Sequence, residues 1–174
     1  MSKLLSFPLM GSNIVIRKLY KRDIPKLYDL ETDPDVKRYV GGVVKRPKDE
    51  WVAGMRQLTK SSLAVLPFTI LYRETGDFVG RATIFEKDGD NSWEIQILIA
   101  KRYWGKHFGR EACEILMAVL YGDVGAKSII AVVDPDNKAS RALVEAFGFV
   151  HVGVHQTDRW DNGHLVYRHE RGWV

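Results

Sequence analysis

Seven short segments rich in apolar and β-branched residues predict the strands of a sheet. Apolar and polar residues alternate in residues 13–19, whereas residues 128–133 are almost wholly apolar, which is typical of a strand buried on both faces. The other predicted strands are residues 65–73, 78–86, 92–100, 149–154 and 165–169. Turn-forming sequences at residues 74–77, 88–91 and 161–163 predict connections between neighbouring strands.

Four segments with a helical apolar period predict helices. The longest begins at Phe108 and continues with apolar residues at helical spacing to Leu120. The others start near residue 23, extend from near residue 47 to Ser61, and cover residues 139–147 before Gly148, which we expect to cap that helix. The predicted order is β-α-α-β-β-β-α-β-α-β-β, without an internal repeat or linker. Such interleaving predicts one α/β (α+β) domain with a mixed sheet over residues 1–174.

The composition is that of an ordinary globular domain, with 45% hydrophobic and 28% charged residues. The net charge of +4 suits a polyphosphate or acidic partner but predicts no specific nucleic-acid partner. Cys113 is the only cysteine, which excludes an intramolecular disulfide and a multi-cysteine zinc site. No apolar run approaches the ~20 residues of a membrane span. We therefore expect a cytoplasmic protein without a membrane partner.

The segment of residues 101–112 is the most informative candidate for a ligand site. A glycine-bearing turn between a strand and a long helix exposes unpaired backbone N–H groups at the positive end of the helix dipole, which suits a pyrophosphate. Arg102, Lys106 and Arg110 would add positive charge. An ordinary strand-to-helix turn with a solvated basic face is the alternative. Neither a P-loop nor a Rossmann glycine motif is present.

Two motifs carry a resemblance to a known family. The first is Arg102-x-x-Gly105-x-His107, within a Trp-Gly-Lys-containing run over residues 104–112, and the second is the Asn-Lys-Ala-Ser sequence that begins at Asn137 and is followed by Gly-Phe at residues 148–149. Together they resemble the GNAT superfamily of acyl-CoA-dependent N-acetyltransferases, in particular its RimJ/RimL-type branch. The resemblance covers nearly the whole chain. It implies a GNAT-like domain with a mostly antiparallel sheet.

The resemblance also implies a reaction and a set of site residues. Acetyl-CoA would be the acetyl donor, and a primary amine would attack it directly, without a metal or a covalent enzyme intermediate. The implied acetyl-CoA-binding residues are Ile97, Leu98, Ile99, Arg102, Gly105, Lys106, His107, Phe108, Gly109, Arg110 and Asn137. Glu94 would be the general base, although a strand carboxylate facing solvent is the alternative.

This sequence departs from the family pattern at two positions. His107 stands where a second glycine is usual. Its side chain would be tolerated in a helical first-turn conformation, contact a CoA phosphate, or weaken cofactor binding. Val144 replaces the tyrosine that many members use to protonate the leaving thiolate. Ser140 is the candidate substitute for that acid, and backbone hydrogen bonding at a helix start is its alternative role.

The resemblance leaves the acceptor open. The branch favours the N-terminal α-amine of a protein, with small amines such as an aminoglycoside, a polyamine or an amino acid as the alternative. A catalytically silent CoA-binding module is the rival of a different class. The oligomeric state is equally open, with a homodimer among the alternatives. The four histidines at positions 151, 155, 164 and 169 lack a completing set of ligands, so we expect packing roles and no metal site.

Overall fold

The computed structural model describes residues 5–59, 67–87, 89–157 and 160–172, and these form one eight-stranded sheet. The strands are β1 (Leu9–Met10), β2 (Ile14–Lys18), β3 (Phe68–Tyr72), β4 (Phe78–Lys87), β5 (Ser92–Ile99), β6 (Ser128–Val133), β7 (Val150–Thr157) and β8 (Trp160–Glu170). Their order across the sheet is β1-β2-β3-β4-β5-β6-β8-β7. All neighbours are antiparallel except β5 and β6, which are parallel.

Five α-helices flank the sheet in the described part of the chain. They are α1 (Ile24–Thr32), α2 (Pro34–Lys37), α3 (Lys48–Leu58), α4 (Phe108–Val119) and α5 (Lys138–Ala146). A short 3-10 turn, Lys101–Tyr103, lies between β5 and α4, and a π-helical turn, Leu120–Val124, extends α4. Gly125 and Gly148 follow their helices in left-handed conformation, as glycine caps do.

The predicted fold class and element order are confirmed, with one strand and one helix added. The short strand β1 and the single-turn helix α2 are too short to produce a periodic pattern. The predicted turn at residues 161–163 is wrong, because β8 already begins at Trp160, which pairs with Thr157 of β7. The predicted end of the third helix at Ser61 and the start of the next strand at residue 65 lie outside the described residues.

The two faces of the sheet are covered by different helices. On one face, α4 packs through Ala112 and Leu116 against apolar side chains of β5 such as Ile95. On the other face, α1 and α2 pack against β4 and β5, with Leu98 buried among their apolar side chains. Because side chains alternate along a strand, Glu94 and Gln96 share the face of Leu98. The central strand β5 therefore separates a fully apolar layer from a partly polar one.

Candidate functional site

A gap opens between the two parallel strands in the middle of the sheet. β6 pairs with β5 only over residues 92–94. Beyond Glu94, β5 stays paired with β4 as far as Ile99, whereas β6 stays paired with β8 as far as Val133. The strands therefore diverge toward their carboxyl ends, where α4 and α5 begin. This is the edge at which open α/β sheets bind ligands.

The backbone of β5 supplies unpaired groups to this gap. The N–H of Ala100, just after β5, donates to the carbonyl of Val79 of β4 at 2.8 Å. Backbone groups alternate in direction along a strand, so those of Ile97 and Ile99 face the gap. The Ile99 carbonyl already accepts a hydrogen bond from Trp104 Nε1 at 2.8 Å. Within the described residues, the N–H of Ile99 and both groups of Ile97 remain available.

Leu98 does not share this orientation, which corrects the sequence expectation for it. By the same alternation its backbone groups face β4, and a Cβ added at Gly80 of β4 would lie 2.0 Å from the Leu98 carbonyl oxygen. Its side chain is buried among apolar residues of α1 and α2. Leu98 therefore contributes to the core and has no free backbone group toward the gap.

The turn between β5 and α4 presents a continuous row of free donors. Among the described residues, none accepts a hydrogen bond from the backbone N–H groups of residues 105–110. The first amide of α4 with a helical partner is that of Glu111, which donates to the His107 carbonyl at 3.0 Å. Six successive amides at the positive end of a helix form a favourable environment for an anion.

The backbone conformation of this turn depends on two left-handed residues. Gly105 has φ +74° and His107 has φ +61°. The expectation that His107 adopts a helical first-turn conformation is wrong. Left-handed conformation costs a non-glycine residue about 1–2 kcal/mol, although histidine tolerates it better than most residues. The need for positive φ explains why a glycine at this position is physically favourable.

The three predicted cations of the turn have different surroundings. The Arg102 guanidinium donates to a backbone carbonyl of β4 at 3.2 Å and lies over the Tyr103 ring at 4.9 Å. Lys106 also lies near that ring, at 5.7 Å from its centroid. Arg110 is exposed on the first turn of α4 and pairs with Glu114 at 3.2 Å. Arg102 thus links the turn to β4 through a hydrogen bond, whereas Lys106 and Arg110 lie at the surface of the turn.

Glu94 lies where the gap closes and is only 4% exposed. Its Oε1 accepts a hydrogen bond from Gln96 Nε2 at 2.9 Å, and Lys87 Nζ is 3.2 Å from its Oε2. The alternative of a solvent-facing carboxylate is therefore wrong. Gln96 and Lys87 were not singled out from the sequence. The two-residue period of β5 would have placed Gln96 beside Glu94.

The second motif places Asn137 at the start of α5. Its Oδ1 accepts a hydrogen bond from the Ser140 N–H at 3.1 Å and so caps the helix. Neither the Asn137 Nδ2 nor the Ser140 hydroxyl has a hydrogen-bond partner among the described residues. Asn137 is therefore able to cap α5 through its oxygen and to donate to a ligand through its nitrogen.

No group of three or more histidine, cysteine or acidic side chains able to hold a metal ion occurs in the described part of the chain. Nor does any helix described there have the length and apolar character needed to cross a bilayer.

Comparisons with known proteins agree with this geometry. Residues 13–150 match the family described as Acetyltransferase (GNAT) domain. The Bacillus subtilis protein YkkB is 28% identical over 166 residues, which cover 91% of this chain and 93% of YkkB. A GNAT-family acetyltransferase from Bacillus anthracis has a similar fold, with a TM-score of 0.80 at 18% identity, covering 94% of this chain and 98% of that chain. The spermidine N-acetyltransferase of Vibrio cholerae, solved in complex with CoA and spermine, gives a TM-score of 0.76 at 22% identity over 91% and 94% of the respective chains.

Proposed function

The chain belongs to the GNAT acetyltransferase domain family, and from this premise we propose that it transfers the acetyl group of acetyl-CoA to the N-terminal α-amine of a protein, as enzymes of the RimJ/RimL type do. Members of this family use acetyl-CoA as the acetyl donor. The proposal concerns the acceptor, the branch and the residues that do the work. A cytoplasmic location stays a prediction of the sequence, and the oligomeric state stays open, with a homodimer among the alternatives.

The observation that carries the proposal is the row of free amides at residues 105–110 beside the gap between β5 and β6. These residues suit the phosphates of CoA. The pantetheine arm would then extend along the gap, where Ile97 and Ile99 offer backbone groups and Asn137 offers its Nδ2. Ile99 lies five positions after Glu94, which corresponds to about 17 Å of strand. The pantetheine arm would cover this distance between the phosphate-binding turn and the thioester that reacts near Glu94.

In this proposal Glu94 is the general base. The amine must lose a proton to attack the thioester, and a carboxylate within reach accepts it. Gln96 holds one oxygen of Glu94 and Lys87 holds the other, so that the carboxylate has a fixed orientation. The N–H of Ile97 is the donor available for the negative charge that develops on the thioester oxygen. Ser140 is the candidate that returns a proton to the thiolate, which is also a tolerable leaving group unassisted.

A polyamine is the alternative acceptor, since a spermidine N-acetyltransferase has a similar fold. A polycation requires carboxylates that are free to pair with it. The acidic side chains of α1 and α2 are instead engaged by lysines, arginines or a helix cap. We therefore favour an acceptor with a single reacting amine over a polyamine.

The test is thiol release from acetyl-CoA across peptides with free N-termini, polyamines and aminoglycosides, alongside calorimetry with CoA. We expect the highest kcat/KM with peptides. Glu94→Gln should lower the rate about 10²–10⁴-fold at neutral pH with little change in CoA affinity. Glu86→Gln, an exposed carboxylate on the neighbouring strand, is the matched control. CoA binding without turnover of any amine would instead favour a silent CoA-binding module.

A further inference from the structure

Three charged side chains, one each from α1, α2 and β4, are in contact between the helices and the sheet. Glu31 of α1 accepts from Lys37 Nζ of α2 at 2.7 Å and from Arg81 Nε of β4 at 2.5 Å. The side chains are 9% exposed for Lys37 and 11% exposed for Glu31 and Arg81. Burial alone would raise the pKa of Glu31, but the charges and hydrogen bonds of Arg81 and Lys37 outweigh it and hold that pKa below its ordinary value. Glu31 is thus ionised, and one carboxylate serves two buried cations.

The neighbouring acidic residues do not neutralise the second cation. Asp29 pairs with Lys48, and Asp33 caps α2 by accepting from two of its backbone amides. Asp35 pairs with Lys101 and Arg38. Among the described residues, the Glu31–Lys37–Arg81 triad therefore keeps a net positive charge. Buried charges are costly unless they are paired. The excess positive charge of the triad therefore favours the binding of a second anion.

Arg81 also has donors that remain free. Its Nη1 donates to Thr83 Oγ1 at 3.1 Å, while no described residue accepts from its Nη2. Among the described residues, Arg141 Nε is the one fully buried side-chain nitrogen or oxygen without a partner. The Nη2 of Arg81 therefore keeps contact with solvent. In the described part of the chain, Lys37 Nζ likewise donates only to Glu31 and has further protons to donate.

The triad and the proposed base lie on the same face of the sheet. Arg81 of β4 pairs with Leu98 of β5, and Glu94 lies four residues before Leu98 on β5. At the rise of a β-strand, four residues correspond to about 14 Å. The side chains of Arg81 and Glu94 both leave the face that α1 and α2 cover, because their register positions are related by an even number of residues. A ligand that contacts both the triad and Glu94 must therefore extend over a comparable distance.

We propose that the Glu31–Lys37–Arg81 triad binds a carboxylate of the acceptor, and that the acceptor is a peptide N-terminus followed closely by an acidic side chain. This inference rests on the proposed function. In a free amino acid the carboxylate is attached to the same carbon as the amine. It cannot reach the triad while the amine lies at Glu94. An extended peptide advances about 3.4 Å per residue, so an acidic side chain near the third position fits.

The experiment compares two peptide amides that differ only by Glu or Gln at the third position. The wild-type protein should show a kcat/KM at least tenfold higher for the Glu peptide, as hydrogen bonds to a charged group warrant. Lys37→Met removes the unmatched cation and leaves Glu31 paired with Arg81. It should reduce the preference to less than twofold without changing the KM for acetyl-CoA.

Lys48→Met is the matched control, since Lys48 is an exposed lysine that also pairs with a carboxylate of α1. It should keep the full preference for the Glu peptide. A wild-type preference near one overturns the subsite by itself, even where Lys37→Met does not fold. The same result in Lys37→Met as in wild type also overturns it.

Binding of the acetylated peptides separates this inference from the proposed function. Calorimetry with saturating CoA measures the affinity of the acetylated Glu and Gln peptides without any turnover. A tenfold preference for the Glu peptide supports the subsite even if no peptide is acetylated, in which case the proposed function alone fails. Equal affinities overturn the subsite, whether or not the enzyme acetylates peptides.

Discussion

His107 has a backbone conformation that its side chain disfavours. It holds φ +61° at the start of α4, with its side chain exposed. His107→Gly should therefore keep or improve CoA affinity, because glycine adopts this conformation without strain. His107→Val should weaken both folding stability and CoA binding, since a β-branched residue tolerates it poorly. Calorimetry with CoA and urea denaturation measure the two effects. Equal CoA affinity in both variants would contradict the requirement for this conformation.

Gly105 tests the same turn with a closely matched control. It has φ +74°, and a Cβ at this position would meet no atom within 4 Å. Gly105→Val therefore acts through backbone conformation alone and should weaken CoA binding at least tenfold. Gly76 in the turn between β3 and β4 has φ +73° and equally open space. Gly76→Val should destabilise the fold similarly while leaving the CoA dissociation constant unchanged. Loss of CoA affinity in both variants would indicate a global effect instead.

At the scale of elements, Glu111 joins α4 to the start of β2. Its carboxylate accepts from Asn13 N–H at 2.7 Å, Asn13 Nδ2 at 3.0 Å and Ile14 N–H at 3.3 Å. Burial would raise the pKa of Glu111, but these hydrogen bonds outweigh it and lower that pKa below 4.5. A carboxyl group whose pKa is lower in the folded state stabilises that state fully at pH values above its pKa in the unfolded state. The stabilisation disappears as pH falls through its pKa in the folded state.

Glu111→Gln should therefore lower the free energy of unfolding at pH 7, and the difference from wild type should shrink as pH falls below about 4.5. Urea denaturation across this pH range measures the difference. Glu114→Gln, an exposed carboxylate one turn further along α4, is the control and should show little change at any pH. A difference between Glu111→Gln and wild type that does not vary with pH would contradict the role of the charge.

In the proposed site, Asn137 acts through two different atoms, because its Oδ1 caps α5 and its Nδ2 is the proposed donor to CoA. Asn137→Asp keeps an oxygen to cap α5 and loses the Nδ2 donor, so it should raise the KM for acetyl-CoA with a nearly unchanged melting temperature. Asn137→Ala loses both and should also cost about 1 kcal/mol of stability. Kinetics and thermal denaturation of the pair distinguish the roles. Normal KM values in both variants, with reduced stability in Asn137→Ala, would assign the residue to the fold alone.

The elements could be predicted from the sequence wherever their pattern is long or their capping residues are distinctive. β6 has the predicted bounds, and α4 begins at the predicted Phe108. The single turn of α2 could not be predicted, because four residues are too few to show a helical period of apolar positions. The turn at residues 161–163 was misplaced because β8 pairs with β7 on both sides of Asp-Asn-Gly, at Trp160 and at His164, so that the sequence occupies an irregularity within the strand pair.

At the scale of the whole molecule, the candidate site depends on contacts that no local pattern reveals. Glycine and helix-start signals predicted unpaired amides between Arg102 and Arg110. The divergence of β5 from β6 depends on how each strand pairs with its other neighbour, which lies far away in sequence. The triad of Glu31, Lys37 and Arg81 likewise joins residues up to 50 positions apart. Such sites follow from the assembled sheet and not from the spacing of residues.

The central claim is that CoA binds across the amides of residues 105–110 and along the open edge of β5. Titration of the 15N-labelled protein with CoA, followed by amide chemical shifts, tests it most directly. The largest shifts should occur at the amides of residues 105–110, of Ile97 and of Ile99, and at the side-chain amide of Asn137. Saturable CoA binding that leaves these signals unchanged and shifts amides elsewhere in the sheet would contradict the claim.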